Sequence, residues 1–419
     1  MASGQLDKIL VCSIPVLYWL LPVVPVWAEE YESIPVINAA GFLPGDLLHS
    51  EHHRVESMDI SGGFFQFQVD SEFGFYQVTS LALLRTRVQE IKTLAQAINQ
   101  FETEDDQFSA ILRSQLHVSG ESAVEIITSP FGTATQLAGQ MANNLGDTLA
   151  GVDILAEQEG FRYENTEPAD AIAATHKRNI ASQHGLDVYS TNEDVQAFLN
   201  TVTKARTSGK ISAGVALVRN QNTAGARIAN KELDRLVNLK LKNNPVSELA
   251  AINDQILGRM VVGQDLRGRF LHHTMYSPRH QTVIAAYLDY LAGVSNRAAF
   301  VNAALSAGNE AEALSCEQLV RMLVLYHDQF NPLYNLHVLQ GVTGAITGDG
   351  KIIFFLADDI LYWSEATSNK YHALADNARA AGFSEPELVT SGTITPVARR
   401  NLEDTGFVLH EDFFSMAGR

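Results

Sequence analysis

Two periods of hydrophobic and polar residues run through this chain. In "FFQFQVDSEFGFYQV" they alternate residue by residue on either side of Ser71–Gly74, which predicts a β-hairpin within a β-rich stretch over 31–80. Directly after it, Leu81, Leu84, Val88, Ile91, Ala95 and Ile98 recur at spacings of three and four. That spacing predicts a helix of about five turns with one apolar stripe. The helical period resumes at 168 and continues to 330. In "HKRNIASQHGLDVYSTNEDVQAFLNTV" the face of Ile172, His176, Ile180 and His184 ends at Gly185, a helix stop. Thr191 or Asn192 then caps a second helix, Glu193 and Asp194 favour its positive end, and Val195, Phe198, Leu199 and Val202 form its buried face. Pro245 and Ser277-Pro278 open two more helices.

Near the C-terminus the pattern changes. "LHVLQGVTGAITGDGKIIFFLADDILYW" reads as two strands around a Thr347–Gly350 turn. A helix in "SNKYHALADNARAAG", a helix capped by Thr395 and ended by Gly406, and a strand "FVLHE" follow. The fold class this predicts is mainly α. It is an irregular helical bundle with a short β-rich N-terminal segment and a small C-terminal α+β module. No fixed repeat period supports a solenoid.

Other signals divide the chain. An apolar run from Ile9 to Trp27 follows Lys8 and ends at Ala28, with Glu29-Glu30 beyond it. Residues 1–28 therefore read as a signal peptide, which makes the mature protein periplasmic or secreted. The alternative is a retained inner-membrane anchor, since the run nearly spans a bilayer. Residues 29–118 hold the hairpin and the long helix. Residues 119–160 are rich in Gly, Ser, Thr and Ala, with Gly132, Gly139, Gly146 and Gly151 weakening any helix. They read as a linker, or as a membrane contact through 130–151. Residues 161–330 form the helical domain and 331–419 the α+β module.

Composition narrows the partners. The 419 residues carry 30 Lys+Arg against 48 Asp+Glu, a formal net charge of −18. So acidic a chain is repelled by nucleic acids and anionic lipid. Cys12 lies in the leader, so the mature chain keeps Cys316 alone and has no internal disulfide. Cys316 sits on a helical stripe with Val320, Leu323 and His327, as an inert thiol does.

Candidate chemistry is sparse. The chain holds no H-E-x-x-H, G-x-S-x-G, S-x-x-K or Walker loop, and no cofactor is expected. His49, Glu51, His52 and His53 make one possible metal cluster, but adjacent residues of a strand point apart, and a solvated loop explains them as well. His272, His273 and His280 make a second weak metal candidate against an ordinary interhelical link. Tyr326, His327 and Asp328 carry acid–base groups, although consecutive helical residues diverge and His327 falls on the apolar stripe. Asp358 and Asp359 form a carboxylate pair after an apolar strand. They suit a cation or acid–base work, or else they cap the segment from Ile360.

Six stretches carry a resemblance: "LLRTRVQEIKTLAQAI", "HKRNIASQHGLDVYSTN", "SPRHQTVIAAYLDYLAGVSNRAAF", "YHDQFNPLYNL", "ITGDGKIIFFLADDILYWSEA" and "SGTITPVARRNLEDTGFVL". Together they resemble a family of exported proteobacterial proteins with no established activity. The resemblance implies export and a shared architecture and carries over no catalytic residue. The sequence thus points to an exported, non-catalytic scaffold or binding protein with a protein or small-molecule partner. A periplasmic hydrolase built on His327, Asp358 or Asp359 is the alternative.

Overall fold

The computed structural model describes residues 31–104, 106–116, 168–208 and 230–416. The leader and the Gly-rich stretch over 119–160, with its membrane reading, lie outside the described residues. Glu32 to the C-terminus makes one contact unit.

Two short helices, α1 (Ala39–Phe42) and α2 (Gly45–Leu48), lead into a three-stranded antiparallel sheet in the order β1-β2-β3. Its strands are β1 (His53–Ser61), β2 (Phe64–Ser71) and β3 (Gly74–Thr79). Gly62 and Gly63, at φ 59° and 86°, close the β1–β2 hairpin. With both central residues left-handed this is a type I′ turn, whose twist matches that of the strands. Phe65, Phe67 and Val69 point inward from β2 and meet α3 (Leu81–Glu104). On α3 the residues Leu84, Val88, Ile91, Ala95 and Ile98 of the apolar stripe are all buried.

Helices α4 (Asp106–Leu116) and α6 (Glu193–Thr207) pack beside α3, and α5 (Pro168–His184) packs against α6. Gly185, at φ 71°, ends α5, and the Leu186 N–H reaches back to the Ala181 carbonyl. Asn192 is the residue that caps α6; its side chain accepts the Asp194 N–H. Helices α7 (Lys231–Asn243), α8 (Val246–Arg259), α9 (Gln264–Leu271), α10 (Pro278–Tyr290), α11 (Arg297–Ala304) and α12 (Glu310–Gln329) complete the helical layer.

The C-terminal part corrects the expected fold class. Strands β4 (Leu333–Leu339), β5 (Val342–Thr347), β6 (Ile352–Leu356), β8 (Glu387–Thr390) and β10 (Val408–His410) form a five-stranded mixed sheet in the order β10-β8-β6-β5-β4. β4, β5 and β6 pair antiparallel, whereas β6, β8 and β10 run parallel. α13 (Glu365–Ala380) and α14 (Pro396–Asp404) make the crossovers. Short β7 (Ile360–Leu361) and β9 (Thr393–Ile394) pair separately, and α15 (Phe413–Met416) follows β10.

β6 is buried on both faces. Ile352, Phe354 and Leu356 enter a core with Leu374, Ala378 and Leu402 of α13 and α14. Ile353 and Phe355 face the other way, into a core with Val320, Leu323 and Val324 of α12. The architecture of the described residues is mixed, with three sheets, rather than an irregular helical bundle. The reason is local. Gln340 and Gly341, at φ 49° and 73°, form a second tight turn. It splits what read as one strand into β4 and β5, and Gln-Gly carries a weak turn signal beside Asp-Gly. His53, read with His49, Glu51 and His52 as part of a solvated loop, instead opens β1, the longest described strand, within the stretch read as β-rich.

Candidate functional site

His53 opens β1 and is buried; its ring meets the Ser50 hydroxyl at 2.7 Å and the Leu47 carbonyl at 3.1 Å. Its neighbour His52 turns the other way, with Glu72 at 2.6 Å on Nδ1 and Glu51 at 3.1 Å on Nε2. His272 Nδ1 lies 2.8 Å from the Gly268 carbonyl, as a residue closing α9 does. His273 Nε2 is 3.2 Å from the Leu305 carbonyl, and its Nδ1 accepts the Met275 N–H at 3.3 Å. His280 closes a capping box with Ser277 at the start of α10, its Nδ1 accepting the Ser277 N–H at 3.4 Å. The three histidines therefore meet three different sets of backbone atoms. Among the described residues no group of three or more His, Cys, Asp or Glu side chains is arranged to hold a metal ion.

His327 lies at the end of α12, where its Nδ1 accepts the Leu333 N–H at 3.0 Å and folds the chain into β4. Cys316 is half-buried on α12, and burial pushes its thiol up to about 11. It is a poor nucleophile in that state.

Asp358 and Asp359 follow β6, where the chain leaves the sheet, and both are half-buried. Asp359 does not cap its own segment. Its Oδ2 accepts the Phe65 N–H at 3.0 Å and the Leu81 N–H at 2.9 Å. Leu81 is the first residue of α3, so this carboxylate satisfies an orphan donor of a helix 278 positions away in sequence. Ser80 completes the cap from within, accepting the Leu83 N–H at 3.1 Å. The Asp359 and Ile360 N–H groups both reach the Gly63 carbonyl, at 3.0 and 3.1 Å. The turn of the N-terminal sheet is thereby fastened to the end of the C-terminal one. Two glycines make the approach possible. A Cβ on Gly392 would stand 2.2 Å from the Asp358 carbonyl oxygen, and one on Gly63 would stand 3.1 Å from Asp358 Oδ2.

Burial raises both acids, Asp358 to about 7 and Asp359 to about 6. Lys370 draws Asp358 back, while the Asp359 and Glu312 charges push it further up. The Phe65 and Leu81 amides and Arg85 draw Asp359 back. A third acid on the same side of the N-terminal sheet, Asp194, is raised by burial to about 6 and takes the Tyr76 hydroxyl proton in a hydrogen bond. All three bind protons more tightly folded than unfolded. Their contribution to stability is thus complete below about pH 4 and is lost as pH rises through about 6 to 7. The unfolding midpoint is expected to be higher at about pH 5 than at about pH 8, and Asp358→Asn to flatten the difference. Chemical denaturation at the two pH values checks this.

The most heavily bonded polar cluster joins α3, α6 and α12. Arg87 pairs with Glu90 at 2.8 Å and Glu310 at 3.3 Å and donates to Thr191. Glu90 also takes the Ser190 hydroxyl at 2.5 Å and the Asn192 amide at 3.0 Å. Burial works against the Arg87 charge, but the two glutamates more than offset it and raise its proton affinity. A second cluster repeats the arrangement. There Arg321 reaches Asp234 at 2.5 Å, Glu317 at 2.9 Å and the Tyr287 hydroxyl at 2.7 Å. A third lies on the α12 side of the sheet, where Glu387 is held by Lys351 at 2.7 Å and His410 at 3.1 Å. None of the three was visible in the sequence, because local pairs such as Arg87–Glu90 and Glu317–Arg321 are completed by partners remote in the chain.

Among the described residues no hydrogen bond or ion pair joins Asp358 or Asp359 to His327 or to the 272–280 histidines. No described helix is long and apolar enough to cross a membrane. No family model matches the chain, and no curated protein or solved structure shows detectable similarity to it.

Proposed function

We propose that this chain is an exported, non-catalytic protein that binds or scaffolds a partner. The observation that supports this is the use of its candidate acid–base groups. His327, Asp359, His273 and His280 each accept a backbone N–H that closes a helix end or a turn. A side chain so engaged is held for architecture and has little freedom to approach a substrate proton. Export rests on the apolar leader and on the family resemblance. The purified chain is expected to leave panels of esters, peptides, glycans and phosphate esters unchanged. Turnover that disappears on replacing one polar cluster would overturn the reading.

One observation favours a hydrolase instead. The Asp358 carboxyl, raised to about 7 by burial, is matched to proton transfer at neutral pH. On that reading Asp358→Asn abolishes turnover while the fold survives. On ours there is no turnover to abolish.

A further inference from the structure

The stretch from Asp328 to Tyr334, from the end of α12 into β4, is fixed on several sides. His327 accepts the Leu333 N–H at 3.0 Å, and the Pro332 carbonyl accepts the Gly348 N–H at 2.8 Å. The Tyr334 ring lies over Gly348, where a Cβ would come within 3.2 Å of its Cε2 atom. Phe330 stacks on Tyr326 with centroids 5.4 Å apart and meets Phe413, also at 5.4 Å. Asp328 accepts the Tyr290 hydroxyl at 3.1 Å.

Although so well held, this stretch turns its rings to solvent. Phe330 is 48% exposed, Tyr334 62% and Tyr290 45%. Aromatic rings gathered on a surface usually mark a contact site, and rings already fixed lose little freedom when a partner arrives. The charges beside them are predominantly negative. Asp328 and Asp349 are close by, and the Thr347 hydroxyl holds Asp349 below the ordinary carboxylate range. The neighbouring cation, Lys351, is already paired with Glu387 at 2.7 Å. Ring faces attract cations, and carboxylates pair with them. A second copy of a chain carrying −18, a nucleic acid or an anionic lipid would meet repulsion instead.

We propose that this surface docks a lysine- or arginine-rich segment of a partner protein, with aliphatic stems on Phe330 and Tyr334 and cationic heads toward Asp328 and Asp349. The proposal rests on the reading of the chain as a binding protein and supplies the partner's chemistry.

The test is fluorescence anisotropy of the full chain with three labelled probes: a lysine/arginine-rich peptide, its glutamate-rich counterpart and a neutral oligosaccharide. The basic peptide is expected to bind, and more weakly as salt is added. Phe330→Ala and Tyr334→Ala are each expected to weaken it about tenfold. Tyr334 lies at the sheet edge, so its variant remains informative if loss of Phe330 disturbs the Phe413 contact. No binding of the basic peptide, binding that neither variant weakens, or preference for the acidic peptide or the oligosaccharide would overturn the proposal. Those outcomes leave the non-catalytic reading standing. Turnover in the substrate panels would remove that reading instead.

Discussion

Replacing Arg87 by alanine is expected to cost about 3–5 kcal/mol of stability, measured by urea denaturation. Arg87 is buried, with Glu90 buried beside it. Removing the guanidinium leaves Glu90 with an uncompensated charge, supported only by Ser190 and Asn192. It also frees the tie to Glu310 at the head of α12. An uncompensated buried charge is what makes a broken ion pair so costly. Arg87→Lys keeps the charge but not the fork that meets Glu90, Glu310 and Thr191 together, so it should recover only part of the loss. A loss under about 1 kcal/mol for the alanine variant would place this cluster with ordinary surface pairs.

The second large effect is expected at Asp359. Asp359→Ala strips the acceptor from two backbone donors, Phe65 N–H and Leu81 N–H, at the base of β2 and the first turn of α3. Leaving donors unpaired away from water costs about 1–3 kcal/mol each, so the variant should lose about 2–6 kcal/mol in all. Asp359→Asn keeps a carbonyl oxygen that accepts both and should lose less than half of that. Equal losses for the two variants would show that the negative charge, rather than the acceptor geometry, carries the effect.

These two residues show what the sequence makes legible. Helix punctuation is local chemistry, and it was readable. Gly185 stops α5, Thr395 caps α14 and Ser277-Pro278 open α10. The stripe on α3 follows from spacing alone. The sheets were harder because pairing is not local. β6 is apolar at every position, since both its faces are covered, and such a run has no period of two to detect. β7 and β9 have two residues each and exist only because they pair. The carboxylates of 358–359 stand out as a pair, but the cap they suggest is of their own segment from Ile360, which Asp359 does not make. That Asp359 would cap α3, with Gly63 and Gly392 making room, required the folded chain. The Arg87 cluster left no trace, for its acceptors come from residues 90, 191 and 310 on three helices or their approaches.

Asp359 fastens the end of the C-terminal sheet to β2 and α3 by accepting the Phe65 and Leu81 N–H groups. Amide hydrogen exchange on the native chain and on Asp359→Ala tests it directly. Strong protection is expected at Phe65 and Leu81 in the native chain and faster exchange at both in the variant, with the middle of α12 unchanged. Unaltered protection at both amides would contradict it.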